Sequence, residues 1–205
     1  KDTSRGLGDV YKRQVYLHKT VLSAENMLIQ ILNRAKYLYK NSKKIYLSPD
    51  LKRFFENSFS IDEFIKDNTI LENFSRLDDY EIYASLKYWI KNKDFVLSNL
   101  SQKILDREIL KIRIQKIKFN KKIISEYRSS MMKKENINLN ESKYFIFSDK
   151  VSNSLYSIHE SNIKILFKDG NIKDLSYSSD QFNLKVLAKT INKYFLCSPS
   201  EYLVE

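Results

Sequence analysis

Three side chains near the start of the chain are of types that suit a nucleotide. In QVYLHKTVLSAENML (14–28), Tyr16, His18 and Lys19 fall within four positions. An aromatic ring can contact a base or sugar, and an ammonium can meet a phosphate. On a helix, Tyr16 and Lys19 would lie three apart and share a face, while His18 would point away from both. The plainer reading is an amphipathic helix start with a solvated Lys and a half-buried Tyr.

A second basic set lies farther on. Between Leu105 and Glu135 there are ten Lys and Arg against four acids. In EILKIRIQ (108–115), Leu110, Ile112 and Ile114 alternate with Lys111 and Arg113, the period of two of a half-buried strand. With Arg107 on the same side, this strand could line a groove that carries phosphates. Lysine on an edge strand also discourages aggregation, so a solvated edge explains the same pattern. Aromatic residues are not interleaved here, unlike a platform for stacking single-stranded bases.

Other chemistries lack their residues. There is no Gly-rich phosphate loop, CxxC pair, HExxH or GxSxG. The two histidines, His18 and His159, are far apart, and metal sites usually gather several His and carboxylate ligands. His159, in SIHESN, reads as a surface residue. Cys197 has no His near it in sequence and reads as core. Asp78 and Asp79 read first as a helix cap.

Composition sets outer bounds. With 205 residues and 42% apolar content, the chain can bury a core in one domain or two small ones. No run approaches the roughly 18 apolar residues needed to span a bilayer, so no membrane partner is expected. The single cysteine points to a reducing, cytoplasmic setting. A formal charge of +11 suggests polyanions, but Lys accompanied by many Asn, Ile, Tyr and Phe is also what AT-rich codons produce. Residues 1–14, KDTSRGLGDVYKRQ, show no periodicity, and GLGDVYKRQ resembles a translated sequencing linker. They are expected to be non-native, with the natural protein continuing upstream, and are set aside.

These residues need elements to position them. Val21, Leu22, Leu28, Ile29, Leu32, Ala35 and Tyr39 give a long helix from Val15 to about Lys40. Ser48-Pro49-Asp50 ends the pattern and can start a new helix. Ser60 and Glu63 stand in capping-box spacing. Asp78 can cap the next helix with Glu81 reaching back, ahead of a stripe of Ile82, Leu86, Trp89 and Ile90. DFVLSNLSQKIL (94–105) is helical, and 120–135 is helical with Ile123, Ile124, Tyr127 and Met131 on one side. KENINLNES (134–142) reads as a polar connection. YFIFSD (144–149), NIKILFKDG (162–170) and NIKDLSY (171–177) read as strands, with a hairpin turn at Asp169-Gly170-Asn171. Ser178, Ser179 or Asp180 can cap a last helix, roughly 181–195. The fold class expected is α+β and mainly α-helical. A helical body (15–135) carries a basic strand near 107–118, and a small α+β C-terminal subdomain (136–205) has a closing helix.

Taken together, YLHKTVLSAENML, LDDYEIYASLKYW, REILKI and DGNIKDLSYSSDQFNLKVLAKTINKYFLCSP give the chain a family likeness. It resembles the C-terminal part of HD-superfamily phosphohydrolases, the group with the SAM-and-HD-domain deoxynucleotide triphosphohydrolases. Tyr-x-His-Lys opening a helix, followed about ninety residues later by Arg-x-x-x-Lys, carries most of it. The resemblance implies that Tyr16 lines the substrate nucleotide pocket. It implies that His18 and Lys19, with Arg107 and Lys111, face a regulatory nucleotide at a subunit interface, Ile109 being the apolar residue between the last two. It also implies a homo-oligomer and a divalent metal held by a His, a His-Asp dipeptide and a further Asp. No His-Asp dipeptide occurs in this chain. The expectation is therefore a C-terminal fragment of a hydrolase, without catalytic or metal-binding residues of its own and inactive alone. Two alternatives from other classes stand beside it: a nucleic-acid-binding module using 107–134, and a structural oligomerisation domain.

Overall fold

The computed structural model describes residues 18–153, 164–174 and 191–202. Tyr16, His159, the expected caps Ser178, Ser179 and Asp180, and positions 181–190 of the expected closing helix lie outside the described residues.

Helix α1 (Lys19–Lys40) buries Leu22, Ser23, Met27, Ile31, Arg34, Ala35 and Leu38. That face is rotated from the stripe expected by spacing, for Val21 and Ile29 are exposed. Apolar residues surround most of this helix, so periodicity alone does not choose the inward side. Distant partners choose it, and they bring a serine and an arginine inside.

Three short helices follow: α2 (Pro49–Glu56), α3 (Ile61–Lys66) and α4 (Asn68–Arg76). Ser48 caps α2 by accepting the Leu51 N–H at 3.2 Å, and Pro49 supplies the first helical residue. Ser60 and Glu63 form the expected capping box on α3. Asp67 ends α3 and caps α4, accepting the Thr69 N–H at 2.9 Å. Phe54, Phe59, Phe64 and Phe74 bind this group, mostly by edge-to-face contacts such as Phe54–Phe59 at 5.6 Å.

Helices α5 (Asp79–Trp89) and α6 (Phe95–Leu105) supply much of the core, including Leu86, Trp89, Val96, Leu97 and Leu100. Burying such a side chain is worth about 1.5–3 kcal/mol. Asp78 caps α5 through the Glu81 N–H at 2.9 Å. The expected return bond from Glu81 is not made, since its Oε2 is buried without a hydrogen-bond partner.

Strand β1 (Lys111–Gln115) is shorter than the basic strand expected over 107–118. Its alternation begins as read, with Leu110 and Ile112 buried and Lys111 exposed. Helix α7 (Lys121–Glu135) buries only Met131. The stretch taken for a polar connection then starts helix α8 (Leu139–Phe145). Asn138 and Glu141 form a second capping box, which draws Tyr144 and Phe145 out of the expected strand and leaves β2 at Phe147–Asn153.

Strands β3 (Lys164–Leu166) and β4 (Ile172–Asp174) pair antiparallel, with Leu166 opposite Ile172. Gly170 turns between them at φ +82°, the conformation for which the turn signal requires glycine. Strand β5 (Ile191–Ser198) corrects the end of the expected closing helix, because residues 191–195 are extended. Phe195, Leu196, Cys197 and Ser198 are buried in succession. Such a run suits a strand covered on both faces, and β5 is the middle strand of the sheet β1–β5–β2.

The chain divides into two compact units. Among the described residues one comprises 18–113, 121–147 and 197–202, and the other 114–120, 148–153, 164–174 and 191–196. The first is mainly helical, so the fold class is α+β with helices dominant.

Candidate functional site

His18 is the cap of α1. Its backbone is extended (φ −64°, ψ 126°), and its Nδ1 accepts the Thr20 N–H at 3.3 Å. The helix therefore begins at Lys19, one residue after the histidine. The helical relation expected between positions 16 and 19 does not run through an extended residue 18. Lys19 is exposed at the first position of α1.

One turn along, α1 is joined to the second basic segment. Ser23 is fully buried, and its Oγ donates to the Leu110 carbonyl at 2.6 Å. The Leu110 N–H in turn points at Met27 Sδ, 3.1 Å away. Both polar groups of this buried residue are thus taken up by α1, as burial demands. Lys111 follows directly and is exposed. Arg107 closes α6 in a left-handed conformation (φ 61°), its N–H donating to the Ile104 carbonyl at 3.2 Å, with its side chain exposed. The structure therefore packs the Ser23 and Met27 side chains of α1 against Leu110. Among the described residues, none of His18, Lys19, Arg107 and Lys111 takes part in an ion pair. Exposed, uncompensated cations on a fixed backbone can receive phosphate oxygens.

Elsewhere in the basic strip Lys116 and Lys121 are exposed, while Arg128 and Lys134 have partners. The Arg128 guanidinium donates twice to the Ile146 carbonyl, at 2.9 and 2.7 Å, and burial pulls its pKa down. Lys134 sits over the Tyr202 ring at 5.3 Å. These two cations serve packing.

A constellation that sequence reading missed surrounds Arg34, in the middle of α1. Its Nε and Nη2 donate to the two Asp94 oxygens at 3.0 and 2.6 Å, and Glu141 lies 3.5 Å from Nη2. The Tyr37 and Tyr144 rings lie 5.2 and 5.3 Å from the guanidinium. Burial alone would lower the arginine pKa, but the Asp94 hydrogen bonds and charge outweigh it and the net shift is upward. A cavity of about 630 Å³ opens beside these groups, lined also by Gln30, Asn138 and Lys143. Because carboxylates already balance Arg34, the group fastens α1 to α6 and α8 more readily than it recruits an anion. The one sequence signal was Asp94, a cap at the start of DFVLSNL.

Cys197 is fully buried, and burial pushes its thiol up to about 12 against a weaker opposing hydrogen bond with Ser23. A thiol so protonated is no nucleophile. Among the described residues, no group of three or more His, Cys, Asp or Glu side chains converges to hold a metal ion. The described donors thus do not fit the metal implied by the resemblance. Nor is any described helix long and apolar enough to cross a membrane.

The fold is similar to that of a solved phosphohydrolase. Over 90% of its length the chain is similar, at 36% identity and a TM-score of 0.73, to a solved phosphohydrolase from Bacteroides thetaiotaomicron. It is also 27% identical over 177 residues to the uncharacterized protein YwfO of Bacillus subtilis, a match covering 81% of this chain. The chain spans 46% of the first protein and 37% of the second. No family model matches.

Proposed function

We propose that this chain is the nucleotide-facing portion of a phosphohydrolase of the HD type, which hydrolyses nucleoside triphosphates or related phosphoesters. The observation that carries the proposal is the likeness to a solved phosphohydrolase over 90% of the chain. It is supported by Lys19, Arg107 and Lys111 being exposed and forming no ion pair among the described residues. In this reading Tyr16 belongs to the substrate pocket, and His18, Lys19, Arg107 and Lys111 meet the triphosphate of a regulatory nucleotide.

A divalent metal, when bound, would polarise phosphate and activate water. Its ligands would lie in the portion of the longer proteins that this chain does not match. Subunit contacts in a homo-oligomer and a cytoplasmic setting belong to the same proposal. What this chain itself does is bind and orient the phosphate groups through its cations.

Calorimetric titration of the chain with nucleoside triphosphates tests the reading. Triphosphates should bind more tightly than the corresponding nucleosides. Lys19→Ala and Arg107→Ala should each weaken binding about tenfold, the scale of one hydrogen bond to a charged group. Equal affinity for nucleosides, triphosphates and inorganic phosphate would rule out a nucleotide site here.

A further inference from the structure

A second surface, unrelated to the pair of segments above, combines exposed aromatic rings with unbalanced positive charge. It lies where α1 and α5 both end. Tyr46 and Tyr88 stack with ring centroids 3.9 Å apart and planes inclined by 21°. Both residues are open to solvent, at 42% and 57% exposure. The pair is held from beneath. The buried Trp89 donates its indole N–H to the Tyr46 carbonyl at 2.8 Å, and Asn92 Nδ2 donates to the Lys44 carbonyl at 3.3 Å.

The two stretches that carry the rings also carry Lys40, Lys43, Lys44, Lys87, Lys91 and Lys93, all exposed. The stretches KNSKKIY (40–46) and KYWIKNK (87–93) contain no acidic residue. Among the described residues, none of the six lysines forms an ion pair. The neighbouring carboxylates are engaged elsewhere. Asp94 is held by Arg34, while Glu56 accepts the Tyr39 hydroxyl and meets Lys52 at 3.7 Å. Lys40, Lys43 and Lys44 line a cavity of about 540 Å³ against Phe55 and Glu56, which gives room beside the charges.

Cations near helix C-termini favour the helix dipole, and that accounts for Lys40 and Lys87. It does not account for Lys43, Lys44 and Lys93 in the loops, nor for an exposed ring stack fixed by a buried tryptophan. A folded acidic protein would meet the lysines but leave the rings unused. We infer that the Tyr46–Tyr88 stack with its six lysines is a binding surface for single-stranded nucleic acid, the bases extending the stack and the phosphates meeting the lysines.

The surface adds the aromatic component that the 107–134 strip lacks in sequence, and it does not depend on the phosphohydrolase reading. Fluorescence anisotropy of the full chain with a short labelled oligothymidylate, across a salt series, tests it. Single strands should bind at least about tenfold more tightly than a duplex of the same length, as expected for a contribution from base stacking. Tyr88→Ala should weaken single-strand binding about tenfold, while Tyr88→Phe keeps the ring and the affinity. The Lys43→Glu, Lys44→Glu double variant should lower the salt slope by about 1.4, or about 0.7 for each phosphate that is no longer neutralised. Trp89 fluorescence in each variant reports whether the fold is kept. Equal affinity for duplex, heparin and polyglutamate, or Tyr88→Ala binding like the wild type, would overturn the inference and leave at most a surface for polyanions. No binding at low salt would overturn it altogether.

Discussion

Two parts of the helical unit handle their side chains in opposite ways. Around α1, α5, α6 and α8, the interior is closed, with Met27, Ile31, Trp89, Leu97 and Phe145 all fully buried. Of its polar members Ser23 and Arg34 are hydrogen-bonded, while the Ser85 and Ser101 hydroxyls are buried without a partner. Across α3 and α4 only Ile70 is buried, while Ile61 at 80%, Ile65 at 73% and Phe74 at 55% exposure face outward. Local capping is as good in the second part as in the first, so caps define helices without deciding what covers them. Coverage comes from partners distant in sequence; those of α4, Arg53 to Thr69 at 3.0 Å and Phe54 to Phe74, leave Ile61 and Ile65 exposed.

The comparison can be broken most sharply at Arg34. Arg34→Ala leaves Asp94 and Glu141 without their buried cation and should destabilise the chain by about 3–5 kcal/mol in urea unfolding. A destabilisation below about 1 kcal/mol, the range of a surface pair, would mean the closed part does not depend on that ion pair. Leu97→Ala should cost about 3 kcal/mol by the same measurement, through lost burial and the cavity left behind.

The buried Cys197 gives a pH test of the same closed region. Its thiol is raised from 9.0 to about 12 in the folded state. An acid held protonated by folding keeps its proton at pH values where the unfolded chain has released it. Its contribution is therefore complete below pH 9 and is lost as pH rises toward 12, at about 1.4 kcal/mol per pH unit. Unfolding curves of wild type and Cys197→Ala across that range isolate the effect. Iodoacetamide at about pH 8, near the ordinary thiol range, should label the thiol only after urea is added.

Smaller effects belong to the open part and its border. Ser48→Ala removes the cap of α2 and should cost about 1 kcal/mol. Ile65→Ala should change stability by less than about 0.5 kcal/mol, as for an exposed surface position. A cost approaching that of Leu97→Ala would show that the open face is covered in solution.

The legibility of the fold follows the same divide. Ser60 with Glu63, Pro49 after Ser48, and Gly170 in its turn act within a few residues, and each does in the structure what its local chemistry requires. Asn138 and Glu141 carried the same kind of signal, and reading their stretch as a connection overlooked a capping box. The inward face of α1 could not be read this way. Arg34 is buried because Asp94 lies 60 residues away in sequence and Glu141 lies 107 away. Residues 191–195 look helical by spacing, yet the middle place of β5 in a sheet is set by neighbours distant in sequence. Of the candidate site, His18, Lys19, Arg107 and Lys111 stood out by residue type. The packing of α1 on the second segment rests on the Ser23–Leu110 bond, which spans 87 residues and leaves no local mark. Neither stretch of the lysine-and-tyrosine surface is unusual by itself; helix packing creates it.

One oxygen in the closed region has two duties. Asp94 Oδ1 accepts from Arg34 Nε at 3.0 Å and from the Leu97 N–H at 2.9 Å. The clasp on α1 and the first turn of α6 therefore share an atom. A displacement of Asp94 breaks both at once, so amide protons in the middle of α1 and at the head of α6 are predicted to exchange with deuterium at a common free energy.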